Sequence, residues 1–304
     1  MDEEYDCAVL GTGLTECVLS GLMSIEGKKV LHIDRNSYYG GKIASVSPLD
    51  ALFKMFNVNK DLSTFKKGKE WNVDLISKFI MASGELVMLL IHTDVVKYME
   101  FKHIDGSYVY QKGQIHKVPS DESEALSSDL MDLFEKRRFQ KFLVWVMKVD
   151  EKDPSTWTNV YPPPLSIAKD TIDHALKHFE IAGDTQKFIG HAMCLYPDDT
   201  YKTSAPALEV INRLQLYSKS VLRFGKSPFI YPLYGLGELP QAFSRMCAVH
   251  GGTYMLDTPV DEIVMENDRV VGVRSGGNVA RCKFVICDPS YAPKRVKKVG
   301  QVRR

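Results

Sequence analysis

Residues Tyr5 to Asp34 constrain this chain more than any other stretch. Asp6-Cys7-Ala8-Val9-Leu10 has the composition of a short buried strand, and Gly11-Thr12-Gly13 follows it as a tight turn. Leu14 to Ile25 carries apolar residues at helical spacing. Lys29-Val30-Leu31-His32-Ile33 reads as a second strand and ends in Asp34. This is a βαβ opening, with an acid about 20 residues after the first glycines, as dinucleotide sites have. One position breaks the pattern: Glu16 stands where the third glycine of G-x-G-x-x-G belongs. That glycine lets the helix pack closely on the strand, and the helix N-terminus then receives a pyrophosphate. A glutamate adds bulk there and, if it faces the phosphate site, a negative charge. Gly11, Gly13, Glu16 and Asp34 are therefore expected to be a vestigial motif: a dinucleotide fold, with no cofactor.

With 304 residues, the chain is long enough for two domains. A net charge of +1 gives no global field for nucleic acid, so a partner or membrane contact must come from a local patch. Cys7, Cys17, Cys194, Cys247, Cys282 and Cys287 are dispersed, form no Cys-x-x-Cys and share no zinc spacing with histidine. No metal is expected, and free thiols suit a reducing compartment. The acidic N-terminus runs into a strand and is no signal peptide. Ile80 to Ile91 is too short to span a bilayer, which needs about 20 apolar residues. A cytoplasmic protein is expected.

After Asp34, Arg35-Asn36-Ser37-Tyr38-Tyr39-Gly40-Gly41 forms a loop at the C-terminal edge of the sheet, where open α/β sheets meet ligands. One tyrosine is expected to cover the core and the other to stay exposed. Leu49 to Phe56 reads as a short helix, Asp61 to Glu70 as a lysine-rich loop, and Trp71 to about Ile91 as helical. Phe101–Ile104, Ser107–Tyr110 and Gln114–Val118 alternate as three short antiparallel strands. Ser120 is a candidate N-cap. From there to about Arg223 the chain is mainly helical, with one long helix over Leu130–Val149 that carries more apolar surface than a single stripe needs. Its basic run Lys136-Arg137-Arg138 suits a solvated face. Tyr161-Pro162-Pro163-Pro164 reads as a rigid connector. The α/β pattern resumes at Phe229 with a strand, a glycine turn and a helix to about His250, followed by strands near Thr253, Val260, Val270 and Phe284. These patterns predict a mixed α/β, flavoprotein-like FAD/NAD(P)-binding fold over 1–117 and 224–304, with a mainly helical insertion over 118–223.

Other motifs fail. Gly225-Lys226-Ser227 lacks the earlier glycine of a phosphate-binding loop, and Pro228 follows it. No G-x-S-x-G elbow is present. His32 suits core packing. Glu238 and Arg245 are compatible with an acid–base pair or with a partner-binding ion pair.

Several segments together resemble the Rab GDP-dissociation inhibitor family. They are Asp2-Glu3-Glu4-Tyr5-Asp6, the Gly11-to-Glu16 variant, Arg35 to Gly41, Trp71 to Leu75, Phe134-Glu135-Lys136-Arg137-Arg138-Phe139, and Tyr231 to Gln241. The resemblance covers the whole chain. Rab escort proteins share the fold but are larger, and an FAD-dependent oxidoreductase is the alternative of a different class. The resemblance implies a non-enzymatic regulator that binds GDP-bound, prenylated Rab GTPases, slows GDP release, and moves them between membrane and cytosol through transient membrane contact. It places Rab-binding positions at Tyr39, Glu238, Arg245, Thr253 and Met255. It matches a mobile loop and the segment gripping the Rab C-terminus to Arg223 and Ser227–Gly235. It puts a geranylgeranyl pocket in the helical domain, where Phe134, Phe139 and Phe142 are the candidates; Phe139 and Phe142 fit core packing equally well. Family chains run further, and Gly300–Arg304 is expected to begin another strand.

Overall fold

The computed structural model describes residues 4–59, 65, 70–111, 113–158 and 165–293. The chain packs as two compact units. The first comprises residues 1–78, 89–101 and 231–304, and the second residues 79–88 and 102–230. Residues 79–88, 102–117 and 224–230 thus pack with the helices, whereas the sequence pattern groups them with the α/β segment.

The first unit opens as its sequence pattern predicts, with β1 (Glu4–Leu10), α1 (Leu14–Ile25) and β2 (Val30–Ile33). Short elements follow: β3 (Ser45–Val46), α2 (Leu49–Met55) and β4 (Val73–Asp74). The expected helix over 71–91 is corrected. That stretch holds β4, then β5 (Ile80–Met81), and only then α3 (Glu85–His92). Its apolar residues do not share one helical stripe: Leu75, Ile76 and Phe79 are exposed while Ile80 and Ala82 are buried. The carboxylate of Asp74 is drawn instead into a network with the 231–237 turn.

In the second unit β6 (Phe101–His103) precedes a hairpin of β7 (Tyr108–Gln111) and β8 (Gln114–Lys117). The three strands do not form one sheet. β7 pairs with β8, whereas β6 joins β5 and β9 (Phe229–Pro232) in order β5-β9-β6. Helices α4 (Glu122–Ser127), α5 (Leu133–Lys148), α6 (Ile172–His178), α7 (Gly183–Lys187), α8 (Tyr201–Ser204) and α9 (Ala207–Phe224) complete the unit. The cap of α4 is Asp121, one residue beyond Ser120: its carboxylate accepts the Glu124 N–H at 2.8 Å, and Ser120 instead donates to the Glu124 carboxylate. Asp132 likewise caps α5 by accepting from Glu135 N–H at 2.9 Å, so the helix begins three residues later than its apolar pattern suggests. Glu135 is 4% exposed and accepts from Ala182 N–H at 2.8 Å and from Arg138 at 3.3 Å. The acid of the Phe134–Phe139 motif thereby ties α5 to the start of α7, while Arg137 and Arg138 face solvent as expected.

The chain returns to the first unit with α10 (Glu238–Val249), β10 (Thr253–Met255), β11 (Glu262–Glu266), β12 (Arg269–Ser275) and β13 (Asn278–Cys287). The main sheet has order β10-β2-β1-β13-β12-β11. Its first four strands are parallel, and β12 and β11 run antiparallel as hairpin partners. β1 and β2 are buried on both faces, which explains their unbroken apolar runs. Cys7, Val9 and Val30 meet Met23 of α1 and Cys247 of α10; Ala8, Leu10, Leu31 and Ile33 pack on the opposite face with Val273 and Ala280. Gly21 lets α1 and α10 approach closely, since a Cβ there would lie 2.6 Å from Met246 Cε and 3.3 Å from the Phe243 carbonyl oxygen. The expected strand at 300–304, the basic run 294–298, the Tyr161–Pro164 connector and most of the 61–70 loop lie outside the described residues.

Candidate partner-binding cleft

The start of α10 is held by a turn that requires two glycines. Asp74 accepts the Leu236 N–H at 2.8 Å, the Tyr231 hydroxyl and, at 2.5 Å, the Ser45 hydroxyl. Ser45 Oγ in turn accepts the Gly237 N–H at 2.9 Å. Gly235 has φ +98°, a left-handed conformation that favours glycine. Gly237 has an ordinary φ, but a Cβ on it would lie 2.8 Å from the Ser45 backbone nitrogen. Backbone cannot rotate away as a side chain can, so Gly237→Ala is expected to destabilise the protein by roughly 1–3 kcal/mol and to displace Glu238. Denaturant midpoints of the two proteins check this, and equal midpoints would show that the turn relaxes freely.

From that anchor α10 buries Leu239, Ala242, Phe243, Met246 and Cys247 and turns Glu238, Gln241 and Arg245 outward at i, i+3 and i+7. These three line a cleft of about 330 Å³ with Tyr39, Tyr98 and Tyr254. Tyr39 comes from the loop after β2 and is half-buried, while its neighbour Tyr38 is 49% exposed, the division expected for the pair. The Tyr39 and Tyr254 rings lie 6.0 Å apart. The Arg245 guanidinium sits over the Tyr98 ring at 4.9 Å. Glu238 accepts the Tyr234 N–H at 2.9 Å; burial, with Glu100 nearby, raises its pKa. Burial also raises the Tyr39 hydroxyl, with the Cys17 thiol adding to it. Glu238 and Arg245 are thus engaged separately, one by a backbone amide and one by a ring. The arrangement offers an oriented acid, an oriented cation and aromatic walls, which suits recognition of a partner surface.

Other candidate residues lie elsewhere. Thr253 and Met255 are on β10, the edge strand. Tyr254 between them points to the α1/α10 face, and Met255 packs into the cluster on the opposite face of the sheet. Strand alternation therefore separates Met255 from the cleft. Arg223, near the end of α9 in the second unit, donates to the Ala82 carbonyl at 2.8 Å. Phe134 is 70% exposed on α5, Phe139 is half-buried with its ring 6.1 Å from that of Phe188, and Phe142 is wholly buried against Trp145 and Phe179. Of the two readings left open for Phe142, it takes core packing. Sequence reasoning missed Tyr98, Gln241 and Tyr254. Gln241 was legible from the helical spacing of Glu238 and Arg245; Tyr98 carries no such signal.

The turn that would cradle a pyrophosphate is filled by the chain itself. A Cβ built on Gly13 would collide with a carboxylate oxygen of Glu16, so that side chain lies over the turn. Burial raises the Glu16 pKa, with Asp288 and Asp34 adding to it, while a hydrogen bond from its own backbone N–H opposes them. Asp34 is buried, and both of its oxygens are in use: Oδ2 accepts from Thr12 N–H and hydroxyl at 2.6 Å each, and Oδ1 from Asn36 at 2.8 and 2.9 Å. A Cβ on Gly11 would lie 3.4 Å from the side chains of Asp288 and Tyr291, which cover that side of the turn. These residues do not fit a dinucleotide: the phosphate turn meets a carboxylate, and the ribose-binding acid has no free acceptor. Among the described residues, no group of three or more His, Cys, Asp or Glu could hold a metal ion, and no helix is long and apolar enough to cross a membrane.

Fold and site together define an FAD/NAD(P)-binding-like protein whose cofactor turn is closed by its own side chains. The sequence profile of the GDP dissociation inhibitors matches residues 1–304. Rab GDP dissociation inhibitor beta of Rattus norvegicus is 56% identical over 305 aligned positions, which cover all of this chain and 67% of the rat protein. The crystal structure of a Rab GDI from Plasmodium falciparum superposes with a TM-score of 0.84 at 44% identity, over 97% of this chain and 68% of that one. An oxidoreductase from Methanosarcina mazei is similar at a TM-score of 0.54 and 14% identity, over 98% of this chain and 63% of its own, a likeness of fold alone. The chain belongs to the GDP dissociation inhibitor family.

Proposed function

We propose that this chain binds GDP-bound, prenylated Rab GTPases, slows their release of GDP, and carries them between membranes and the cytoplasm without catalysing a reaction. The observation that carries this reading is the convergence of Tyr39, Glu238 and Arg245, distant in sequence, on one cleft. The filled cofactor turn weighs against an oxidoreductase, and the likeness in sequence is to inhibitors. Geranylgeranyl binding is assigned to the helical unit, where α5 leaves Leu133, Phe134, Val144 and Met147 exposed. On this reading the exposed Phe134 and the half-buried Phe139 contact lipid, and Phe142 supports them from the core. Burial of roughly 0.8 kcal/mol per methylene-sized unit lets even part of an isoprenoid chain compete with a bilayer when the Rab surface adds a second contact.

Titration of a GDP-loaded, geranylgeranylated Rab with the wild-type chain, Tyr39→Ala and Arg245→Ala tests the reading. Central anchors of an interface typically contribute at least ~2 kcal/mol, or roughly thirtyfold in affinity. Each variant should lose about that much while keeping the wild-type melting temperature. Unchanged affinity in both would reject the cleft as the Rab platform.

A further inference from the structure

Arg245 projects from α10 into the cleft and is exposed, and among the described residues it has no carboxylate partner. A long side chain in that position samples many rotamers, and freezing it on binding costs affinity. Its recorded contact is the face of Tyr98, 4.9 Å from the guanidinium carbon to the ring centroid. The backbone that carries the ring is anchored. Tyr98 closes the short 3-10 turn Val95–Tyr98, whose first residue, Val95, is wholly buried, and Met99 just after it is 9% exposed. The carbonyl of Glu100 accepts the Leu233 N–H at 2.8 Å and ties the segment to the turn that leads into α10. On the same ring, Lys97 Nζ lies 5.2 Å from the centroid and is itself held by Asp94 at 2.7 Å. Tyr98 thus stands on a buried base beside the one cation of α10 that faces the cleft.

We infer that Tyr98 is a positioning residue: its ring holds the Arg245 guanidinium in the binding geometry before the partner arrives. A guanidinium held over the face of a ring by cation–π attraction keeps N–H groups available for acceptors, so the contact orders the side chain without consuming all its donors. The ring also supplies the cleft wall on that side. This inference rests on the partner reading of the cleft.

The test measures binding of a GDP-loaded Rab GTPase to the wild-type chain, Tyr98→Phe, Tyr98→Leu, Arg245→Ala and the Tyr98→Leu/Arg245→Ala pair. A cation–π contact at an exposed site corresponds to roughly two- to fivefold in affinity. Tyr98→Leu should weaken binding by about that factor, and Tyr98→Phe, which keeps the ring, should restore it. In the Arg245→Ala background Tyr98→Leu should add nothing. Full affinity in Tyr98→Leu, or additive losses in the pair, would overturn the positioning role. An Arg245→Ala protein with wild-type affinity would show that Arg245 is no anchor and overturn the positioning role with it, whereas wild-type affinity in Tyr39→Ala as well would overturn the platform itself. Nitrogen-edited NMR of the free wild-type protein adds a readout that needs no variant: the Arg245 guanidinium should be ring-shifted and restricted in rotation, and a freely rotating group would refute the stack.

Discussion

Gly190→Ala is expected to destabilise the helical unit by about 3 kcal/mol, the upper part of the usual range for overpacking. Gly190 lies in the irregular turn of helix Phe188–Met193, and a Cβ there would overlap Cε1 of the Tyr201 ring and lie 2.7 Å from its Cζ. That ring has nowhere to go. Tyr201 is 1% exposed, stacks on Tyr196 with centroids 4.9 Å apart, and donates its hydroxyl to the Gln186 carbonyl at 2.7 Å. Moving it would break a buried hydrogen bond and open the packing of α8. Urea unfolding of Gly190→Ala beside the wild type measures the loss. The cause can be separated from a general effect of alanine, because Tyr201→Leu in the same background should recover part of the loss. A double variant no more stable than the sum of the two single losses would place the strain elsewhere.

Acidification should unfold this protein partly through His32. The ring is wholly buried, stacked on Tyr254 at 4.4 Å, with Nε2 2.6 Å from the Gly11 carbonyl and Nδ1 3.1 Å from Ser20 Oγ. A carbonyl only accepts, so Nε2 carries the proton and Nδ1 is the unprotonated nitrogen, beside a serine hydroxyl that lies 3.0 Å from the Cys17 carbonyl. Burial lowers the His32 pKa to about 4 from the usual 6.5; the Gly11 hydrogen bond and Asp34 oppose that shift. The unfolded chain therefore binds a proton that the folded chain refuses between those two values. Stability is whole above the unfolded pKa and falls as pH drops towards the folded one, by roughly 3 kcal/mol in total and about 2 kcal/mol at pH 5. His32→Gln removes that proton site. Its stability should change less between pH 7.5 and pH 5 than that of the wild type, the difference being the histidine share. Parallel pH profiles would mean that His32 titrates normally in the folded protein.

The βαβ opening was legible because local chemistry dictates it. The apolar runs of β1 and β2 follow from burial on both faces, and Gly11 must adopt φ +98° where few other residues can. The same holds for the end of α9, where Gly225 adopts the left-handed conformation, and for α10, whose apolar residues recur at helical spacing. The family was legible for another reason: its motifs are sites where several contacts demand one residue. Asp74, Gly235 and Gly237 lock a single turn, and Glu135 bridges two helices.

Long-range pairing was not legible. Ile80 and Met81 form a strand because Phe229 and Ile230 lie beside them, although about 150 residues separate the partners and propensity favoured helix. β6 left its sequence neighbours for β9 on the same terms. The site divides in the same way. Glu238, Gln241 and Arg245 share a helix face that spacing alone defines. Tyr39, Tyr98 and Tyr254 join them only because a loop, a short 3-10 turn and an edge strand end at one place, while alternation along β10 turns Met255 to the other face. Sequence determined the local conformations and the chemistry on offer. Tertiary structure decided which side chains meet, since that depends on contacts whose partners are far apart along the chain.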